Sequence, residues 1–502
     1  MAKICLCLTG STLQRDIEVL EKYRKFVDIV ELRADYLTPD ERLLVRRFPE
    51  MAGIPCILTV RREIDGGLFH GGEWSRIKLI SMGLAFAEAD RRRNFAYVDL
   101  ENDLSVPGIE EAARTFGTRI IRSYHNMNGT DDGITEILRK SKRIGDEIVK
   151  VAVAPRSLDD VVKIFRSARE TEDLEKIIIG IGEFGLCTRV LADRLGSQIT
   201  YTSVKGESNM PMAALGQLDP KELSEFYRFK SINEGTTIFG IAGFPLKVTL
   251  SPSFFNATFG TESINAIYLP FPVVSIGAFM RLADEIGLKG ASITVPYKEA
   301  VVSYLAQKSD HVRLTGACNT IVREEDGWHG YNTDAMGFSN SLLNFLGTKD
   351  LKGKRITIVG AGGVAHAVAE EVHRFRGKAL ILNRTPIRAR ELAETFDFKW
   401  AALDTVGFAR MEKYNDIIIQ TTSVGMDSQI DSDPIEMYKF SGKETVMDVI
   451  YYPQQTKCLK RAAAAGCRVI GGYDMFIRQA QEQFRFFTKQ ELSTQAAPNR
   501  TP

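Results

Sequence analysis

Short apolar runs alternate with amphipathic stretches along most of this chain. Up to about residue 210 the runs begin near Ile4, Val27, Pro55, Ala96, Arg119, Ile148, Ile177 and Gln198. They are rich in Ile, Val and Leu, and their spacing leaves room for a helix after each, as over 159–170. Eight strand–helix units predict a closed (β/α)₈ barrel over residues 1–220, a fold whose active sites form at the C-terminal strand ends. The polar residues that fall there are Glu31, Arg33, Arg61, His125, Lys150 and, beyond the seventh strand, Arg189.

From residue 216 to 235 the strand pattern fades and charge appears (Asp219, Lys221, Glu222, Glu225), which predicts a short helical linker over 221–235. Alternation resumes at Thr237-Ile238-Phe239-Gly240-Ile241-Ala242-Gly243, and a second clear start follows at Lys354-Arg355-Ile356-Thr357-Ile358-Val359-Gly360. At 502 residues the chain exceeds what one core usually organises. Its 65 basic and 64 acidic side chains leave a charge of +1, so electrostatics make no case for nucleic acid or an anionic membrane. Seven scattered cysteines, odd in number, form neither a disulfide framework nor a zinc-ligand spacing, and no metal site is expected. The N-terminus runs straight into a strand, and no apolar run reaches about eighteen residues. The expected location is the cytoplasm, or an organelle for a processed form, with no obligate protein partner.

Two lysines concentrate the chemistry. Lys150 interrupts Ile148-Val149-Lys150-Val151-Ala152-Val153, a run expected to be buried on both faces of a parallel sheet. Desolvation favours the neutral form of an amine, and a neutral amine attacks ketones to form Schiff bases. The bland alternative is a lysine that snorkels out at a strand end. His125 ends the preceding strand candidate, so adjacent barrel strands bring an imidazole to the same rim, where it can move a proton beside an imine carbon. Glu31 and Arg33 lie two apart and point to one side of their strand, as a binding pair or a structural ion pair.

Val30-Glu31-Leu32-Arg33-Ala34-Asp35, Thr59-Val60-Arg61 followed by Gly66-Gly67, the His125 strand, Val149-Lys150 and Gly216-Gln217 together resemble type I 3-dehydroquinate dehydratases over about residues 1–220. The resemblance implies that Lys150 forms an iminium with the substrate ketone. It implies further that His125 removes the C2 proton and helps the C1 hydroxyl leave as water. Arg189 would pair with the substrate carboxylate, and Glu31, Arg33, Arg61 and Gln217 would hold hydroxyls. Asp65 stands where the family commonly has glutamate, and Ala213 where many members have serine.

In the second half, Ile356-Thr357-Ile358-Val359 leads into Gly360-Ala361-Gly362-Gly363-Val364-Ala365, a strand, a glycine turn and a helix start, as a pyrophosphate site requires. About twenty residues on stands Asn383-Arg384-Thr385-Pro386-Ile387-Arg388. An NAD site usually has an acid there; Arg384 and Arg388 instead offer a cationic seat for a 2′-phosphate, so NADP is the expected cofactor. A Rossmann domain without nucleotide is the alternative. Ser292-Ile293-Thr294-Val295-Pro296-Tyr297-Lys298, Cys318-Asn319-Thr320, Asn332-Thr333-Asp334, Asp448-Val449-Ile450-Tyr451-Tyr452-Pro453 and Gln479 resemble shikimate dehydrogenases over about residues 236–486. The resemblance implies a Lys298–Asp334 catalytic pair, with Thr249 and Ser251 on the carboxylate, and Thr294, Asn319, Tyr451 and Gln479 on ring hydroxyls or the carbonyl. Met426 would lie beside the nicotinamide. Thr249 replaces a usual serine, and Ser292 stands where asparagine is common.

The expected organisation is therefore an α/β chain. It comprises a type I barrel (1–220), the linker, a substrate domain (236–345 plus 472–490), a Rossmann NADP-binding domain (346–471) and a disordered tail (491–502). The implied activity converts 3-dehydroquinate through 3-dehydroshikimate to shikimate with NADPH. Rival readings are a quinate-oxidising dehydrogenase, and a ligand-sensing regulator, which need not keep His125, Lys150, Lys298 and Asp334.

Overall fold

The computed structural model describes residues 1–84, 91–143, 145–204, 218–246 and 249–492. The chain divides into two compact units, Met1–Ile238 with Ser263–Leu288, and Phe239–Glu262 with Lys289–Pro502.

In the first unit, strands β1 (Lys3–Leu8), β2 (Ile29–Arg33), β3 (Cys56–Thr59), β4 (Tyr97–Glu101), β5 (Arg119–Asn126), β6 (Ile148–Val153), β7 (Lys176–Gly180) and β8 (Ile199–Thr202) are parallel. They pair in the order β7-β6-β5-β4-β3-β2-β1-β8. The seam between β7 and β8 is nearly closed, by a single bridge of Lys176 to Ser197 and a 2.8 Å hydrogen bond from Gln198 N to Lys176 O. Each predicted strand start lies within about two residues of the observed one, because each strand carries an apolar stretch buried on both faces. Helices follow as expected: Ser157 caps Leu158–Glu170 by accepting from Asp160 N.

Side-chain alternation divides the barrel strands between two cores. Cys5, Cys7, Ile29, Ile57, Tyr97, Ile121, Ile148 and Ile177 fill the interior, while Leu6, Leu8, Val30, Leu32 and Val98 pack outward against helices. Stepping two residues from the interior isoleucines and Tyr97 reaches Glu31, Thr59, Asp99, Ser123 and Lys150; a further step reaches Arg33, Arg61, Glu101 and His125. The interior is thus oily at one end and charged at the C-terminal end, and the strand period alone makes it so. The unit also includes β10 (Ala266–Pro272) and the helix Ile276–Glu285, whose Arg281 forks onto Asp159 at 2.7 and 2.8 Å.

The second unit contains two sheets. One holds β9 (Thr237–Gly243), β11 (Gly290–Ile293), β13 (Thr320–Glu324), β14 (Gly327–Tyr331) and β12 (Leu305–Lys308), paired in that order. The other is wholly parallel: β15 (Arg355–Val359), β16 (Lys378–Asn383), β17 (Lys399–Ala402), β18 (Ile417–Gln420), β19 (Thr445–Asp448) and β20 (Arg468–Ile470), in the order β17-β16-β15-β18-β19-β20. The order reverses between β15 and β18, the place where doubly wound folds open a crevice at the carboxyl ends of their strands. The last helix, Gly472–Thr488, packs on Thr333–Leu346 so closely that a Cβ on Gly337 would lie 2.9 Å from the Gln479 Cβ. No helix among the described residues is long and apolar enough to cross a membrane.

Candidate active sites

Lys150 is 4% exposed and projects into the barrel from β6, opposite Ser123 of β5. Its Nζ donates to Asp99 Oδ2 at 2.9 Å, lies 3.9 Å from Glu31 Oε1, and sits 4.3 Å from the centre of the Tyr201 ring. The apolar run around Lys150 suggested an amine isolated in oil; the structure surrounds it instead with carboxylates from other strands. Asp99 also receives Arg61 Nη2 at 3.0 Å and the Ser123 hydroxyl at 2.5 Å. Burial would raise its carboxyl, but Arg61 and Lys150 overcome that and hold it well below the usual carboxylate range. Arg61 continues to Glu101 at 2.8 Å, and Glu101 accepts Arg76 at 2.5 Å. Every charge in this web has a partner, which buried charges require.

His125 lies on β5 two residues past Ser123, within electrostatic reach of Lys150. Burial first, and then the cations Arg61 and Lys150, push its pKa well below the ordinary imidazole value, against the pull of Asp99. Its buried Nδ1 meets no hydrogen-bond partner among the described residues. A neutral imidazole with a nitrogen to spare is equipped to accept a proton. Arg189, on the short helix Leu186–Val190, is 3% exposed and donates to Tyr201 O at 3.2 Å. Burial lowers its guanidinium to about 10, and no carboxylate pairs with it among the described residues, so it is a cation suited to an anion.

Glu31 and Arg33 take different hydrogen-bond partners. Glu31 accepts from Thr59 at 2.8 Å and from Cys7 at 3.2 Å, whereas Arg33 is engaged by Asp35 through two bonds of 2.9 and 2.8 Å. Asp65 pairs with Arg62 at 2.6 Å. Gln217 and Ala213 lie outside the described residues. Sequence reasoning missed Asp99, Ser123, Glu101 and Tyr201. A signal for two of them was present: Tyr97-Val98-Asp99-Leu100-Glu101 alternates acids with apolar residues, as the Glu31 strand does.

In the second unit, Lys298 Nζ donates to Asp334 Oδ2 at 2.5 Å. Asp334 stands in the first turn of Thr333–Leu346, where Asn332 caps the helix by accepting the Asp334 N–H. The pair lines a cavity of about 620 Å³ with Thr249, Ser251, Thr294, Asn319, Tyr451 and Gln479. Gly362, Gly363, Val364 and Met426 line the same cavity, so the glycine turn and the lysine–aspartate pair share one space. Asn319 is fixed from several sides: its Nδ2 donates to Thr333 at 3.0 Å and to Gln479 at 3.2 Å, and its Oδ1 accepts Thr333 N at 2.8 Å. Burial raises the Tyr451 hydroxyl's pKa, and a hydrogen bond with Thr249 opposes the rise. Ser251 N donates to Thr249 Oγ1 at 3.3 Å. Gln483, one turn past Gln479, is a further lining residue; it accepts from Ser292 at 2.8 Å and donates to Thr320 at 2.9 Å.

The glycine turn fits a dinucleotide. Gly360 has φ +117, and a Cβ there would meet Thr421 Oγ1 at 2.5 Å; at Gly362 nothing lies within 4 Å of the same position. The helix Gly363–Arg374 begins without a side-chain cap, leaving its first N–H groups for a phosphate. Gly360, Ala361, Ala365, Asn383, Thr385, Arg384 and Arg388 do not line the cavity. Ala365 is a buried residue of that helix, and Asn383 Nδ2 donates to Thr385 O at 3.0 Å. Arg384 and Arg388 are exposed just past β16, and among the described residues no carboxylate pairs with either.

These arrangements define an α/β protein that couples a (β/α)₈ barrel, with a lysine on an inner strand, to a half of dinucleotide-binding oxidoreductase type. The chain belongs to the shikimate dehydrogenase family, with a type I 3-dehydroquinase domain preceding it. The type I 3-dehydroquinase family matches residues 4–234, the shikimate dehydrogenase substrate binding domain 241–321, and the shikimate / quinate 5-dehydrogenase family 344–448. The chloroplastic bifunctional 3-dehydroquinate dehydratase/shikimate dehydrogenase of Arabidopsis thaliana is 27% identical over 494 residues, 94% of this chain and 79% of that one. The shikimate dehydrogenase (NADP(+)) of Thermococcus kodakarensis is 35% identical over 255 residues, 50% of this chain and 91% of its own. Among solved structures, shikimate 5-dehydrogenase of Thermus thermophilus with NADP(H) and shikimate matches with a TM-score of 0.47 and 28% identity, over 52% of this chain and 97% of that one.

Proposed function

We propose that this chain is a bifunctional enzyme that dehydrates 3-dehydroquinate to 3-dehydroshikimate in its barrel, then reduces that product to shikimate with NADPH in its second half. The observation that carries the reading is that each half sets a lysine beside a proton-handling partner: Lys150 near His125 in the barrel, and Lys298 bonded to Asp334 at 2.5 Å in the cavity of the glycine turn.

In the barrel, Lys150 Nζ adds to the substrate ketone and water leaves, giving an iminium. The iminium withdraws electrons from the adjacent carbon, and His125, neutral and unpaired at Nδ1, takes the C2 proton. The same imidazole returns a proton to the departing C1 hydroxyl, so water leaves and the conjugated iminium hydrolyses to the enone and free lysine. Asp99 and Glu31 hold the Lys150 amine in the interior throughout, and Arg189 takes the substrate carboxylate.

In the second half, Thr249 and Ser251 hold the carboxylate, and Asn319, Thr294, Tyr451 and Gln479 orient the ring. Lys298 stands at the ketone oxygen and supplies it a proton, while Asp334 keeps the amine aimed there. The turn Gly360–Ala365 and residues Asn383, Arg384, Thr385 and Arg388 would hold NADP, with Met426 covering the ring; bound in its reduced form it supplies hydride. With all seven cysteines free and buried, the assigned setting is the cytoplasm or the reducing interior of an organelle.

The test gives purified protein 3-dehydroquinate alone and follows enone absorbance, then adds NADPH and follows its loss. Both signals in sequence are expected. Enone growth without NADPH loss would transfer the second half to quinate, tested with quinate and shikimate side by side; silence at both steps would leave a ligand-sensing protein.

A further inference from the structure

Outside both sites, the second unit gathers three metal-type ligands from two helices. His311, on the helix Asp310–Thr315, faces Glu370 and Glu371 on Gly363–Arg374. His311 Nδ1 lies 2.6 Å from Glu370 Oε1 and 3.9 Å from Glu371 Oε1, and one ligand atom from each residue falls within 4.8 Å of the others. The glutamates are 4% and 0% exposed, and His311 is partly buried.

The charges do not balance. Arg374 forks onto Glu371 at 2.9 and 2.5 Å and neutralises it. Glu370 meets only the imidazole, through Oε1, and its buried Oε2 has no hydrogen-bond partner among the described residues. A buried anionic oxygen without a donor is costly. A proton on His311 would answer the charge but leave Oε2 unserved, whereas a dication on the carboxylate compensates the charge spread over both oxygens.

We propose that His311, Glu370 and Glu371 form a binding site for a first-row transition-metal dication, with zinc as the occupant. The imidazole donor selects zinc-type metals over magnesium or calcium, which take oxygen ligands. Tetrahedral zinc with bonds of about 2.0–2.1 Å sets neighbouring ligand atoms roughly 3.3 Å apart. The observed 2.6 and 3.9 Å bracket that value, and the three ligand atoms lie within 4.8 Å of one another. Three protein ligands leave a fourth position open for water. The ligands lie 59 residues apart, and no ligand-spacing motif in the sequence reveals them.

The full-length protein, freed of metal by a chelator, is titrated with Zn²⁺ by calorimetry and with Co²⁺ by visible absorption at neutral pH. One equivalent of Zn²⁺ and an intense tetrahedral Co²⁺ band are expected. In His311→Ala and Glu370→Gln the affinity should fall by at least ~10-fold and the band should vanish. NADPH-dependent turnover in each variant reports that it is folded; if the buried Glu370→Gln fails to fold, His311→Ala decides alone. Absence of stoichiometric Zn²⁺ binding, or binding as tight in His311→Ala as in the parent, overturns the proposal.

Discussion

The barrel holds its lysine on a strand, inside a web of buried charge; the second unit holds its lysine on a loop, against one aspartate and the wall of a cavity. Lys150 shares Asp99 with Arg61 and Ser123, and Arg61 passes the network on to Glu101 and Arg76. Among the described residues Lys298 makes one ion pair, 2.5 Å to Asp334, with side chains 14% and 10% exposed. The contrast follows the proposed chemistry. A lysine that becomes covalently bonded to substrate needs its position fixed by the fold, whereas one that passes a proton needs room for substrate and cofactor beside it.

Exchanging the two lysines for methionine tests that division most strongly. Lys150→Met should lower dehydration by ~10³-fold or more and leave reduction of 3-dehydroshikimate intact, and Lys298→Met should do the reverse. Borohydride with 3-dehydroquinate should add substrate mass to the parent and to Lys298→Met only. A covalent adduct that persists in Lys150→Met would place the nucleophile elsewhere.

The aspartates should differ in what they do for stability. Asp99→Asn leaves Arg61 and Lys150 buried with too little negative charge and should cost about 3–5 kcal/mol. Asp334→Asn, beside a cavity, should cost about 1 kcal/mol while depressing reduction. Urea midpoints of the two variants decide it, and equal losses would mean that the second site is as tightly knit as the first.

The arginines extend the contrast, since Arg61 is buried and paired while Arg384 and Arg388 are exposed without carboxylate partners. Hydrogen bonds to charged groups contribute about 1.5–3 kcal/mol, so Arg384→Ala should raise KM for NADPH by ~10-fold or more. KM for NADH should hardly move. A parallel rise for both cofactors would assign these arginines to general phosphate attraction.

The smallest expected effect is on pH dependence. In the folded barrel His125 titrates below its ordinary 6.5, so below pH 6.5 the unfolded chain binds more protons than the folded one. The contribution of His125 to stability is therefore complete above 6.5 and declines as pH falls toward its folded value. The acidic limb of dehydratase kcat/KM should likewise lie below 6.5. A limb at or above that value would contradict a cation-depressed imidazole.

Local pattern alone determined much of this protein. Both the barrel strands and the β15–glycine-turn–helix unit were legible, because each strand carries an apolar stretch buried on both faces and a turn with φ +117 at Gly360 excludes side chains. Lys150 and His125 stood out because each breaks such a strand. What the tertiary structure decided is which charges meet. Arg33 takes Asp35 as its hydrogen-bond partner; Asp99 reaches Lys150 across 51 residues of sequence, Gln483 reaches Ser292 across 191, and His311 finds Glu370 across 59. Periodicity states which face a side chain takes, but the partner on that face comes from another element, and the desolvation of charge that selects the partner acts only once the chain has closed around it.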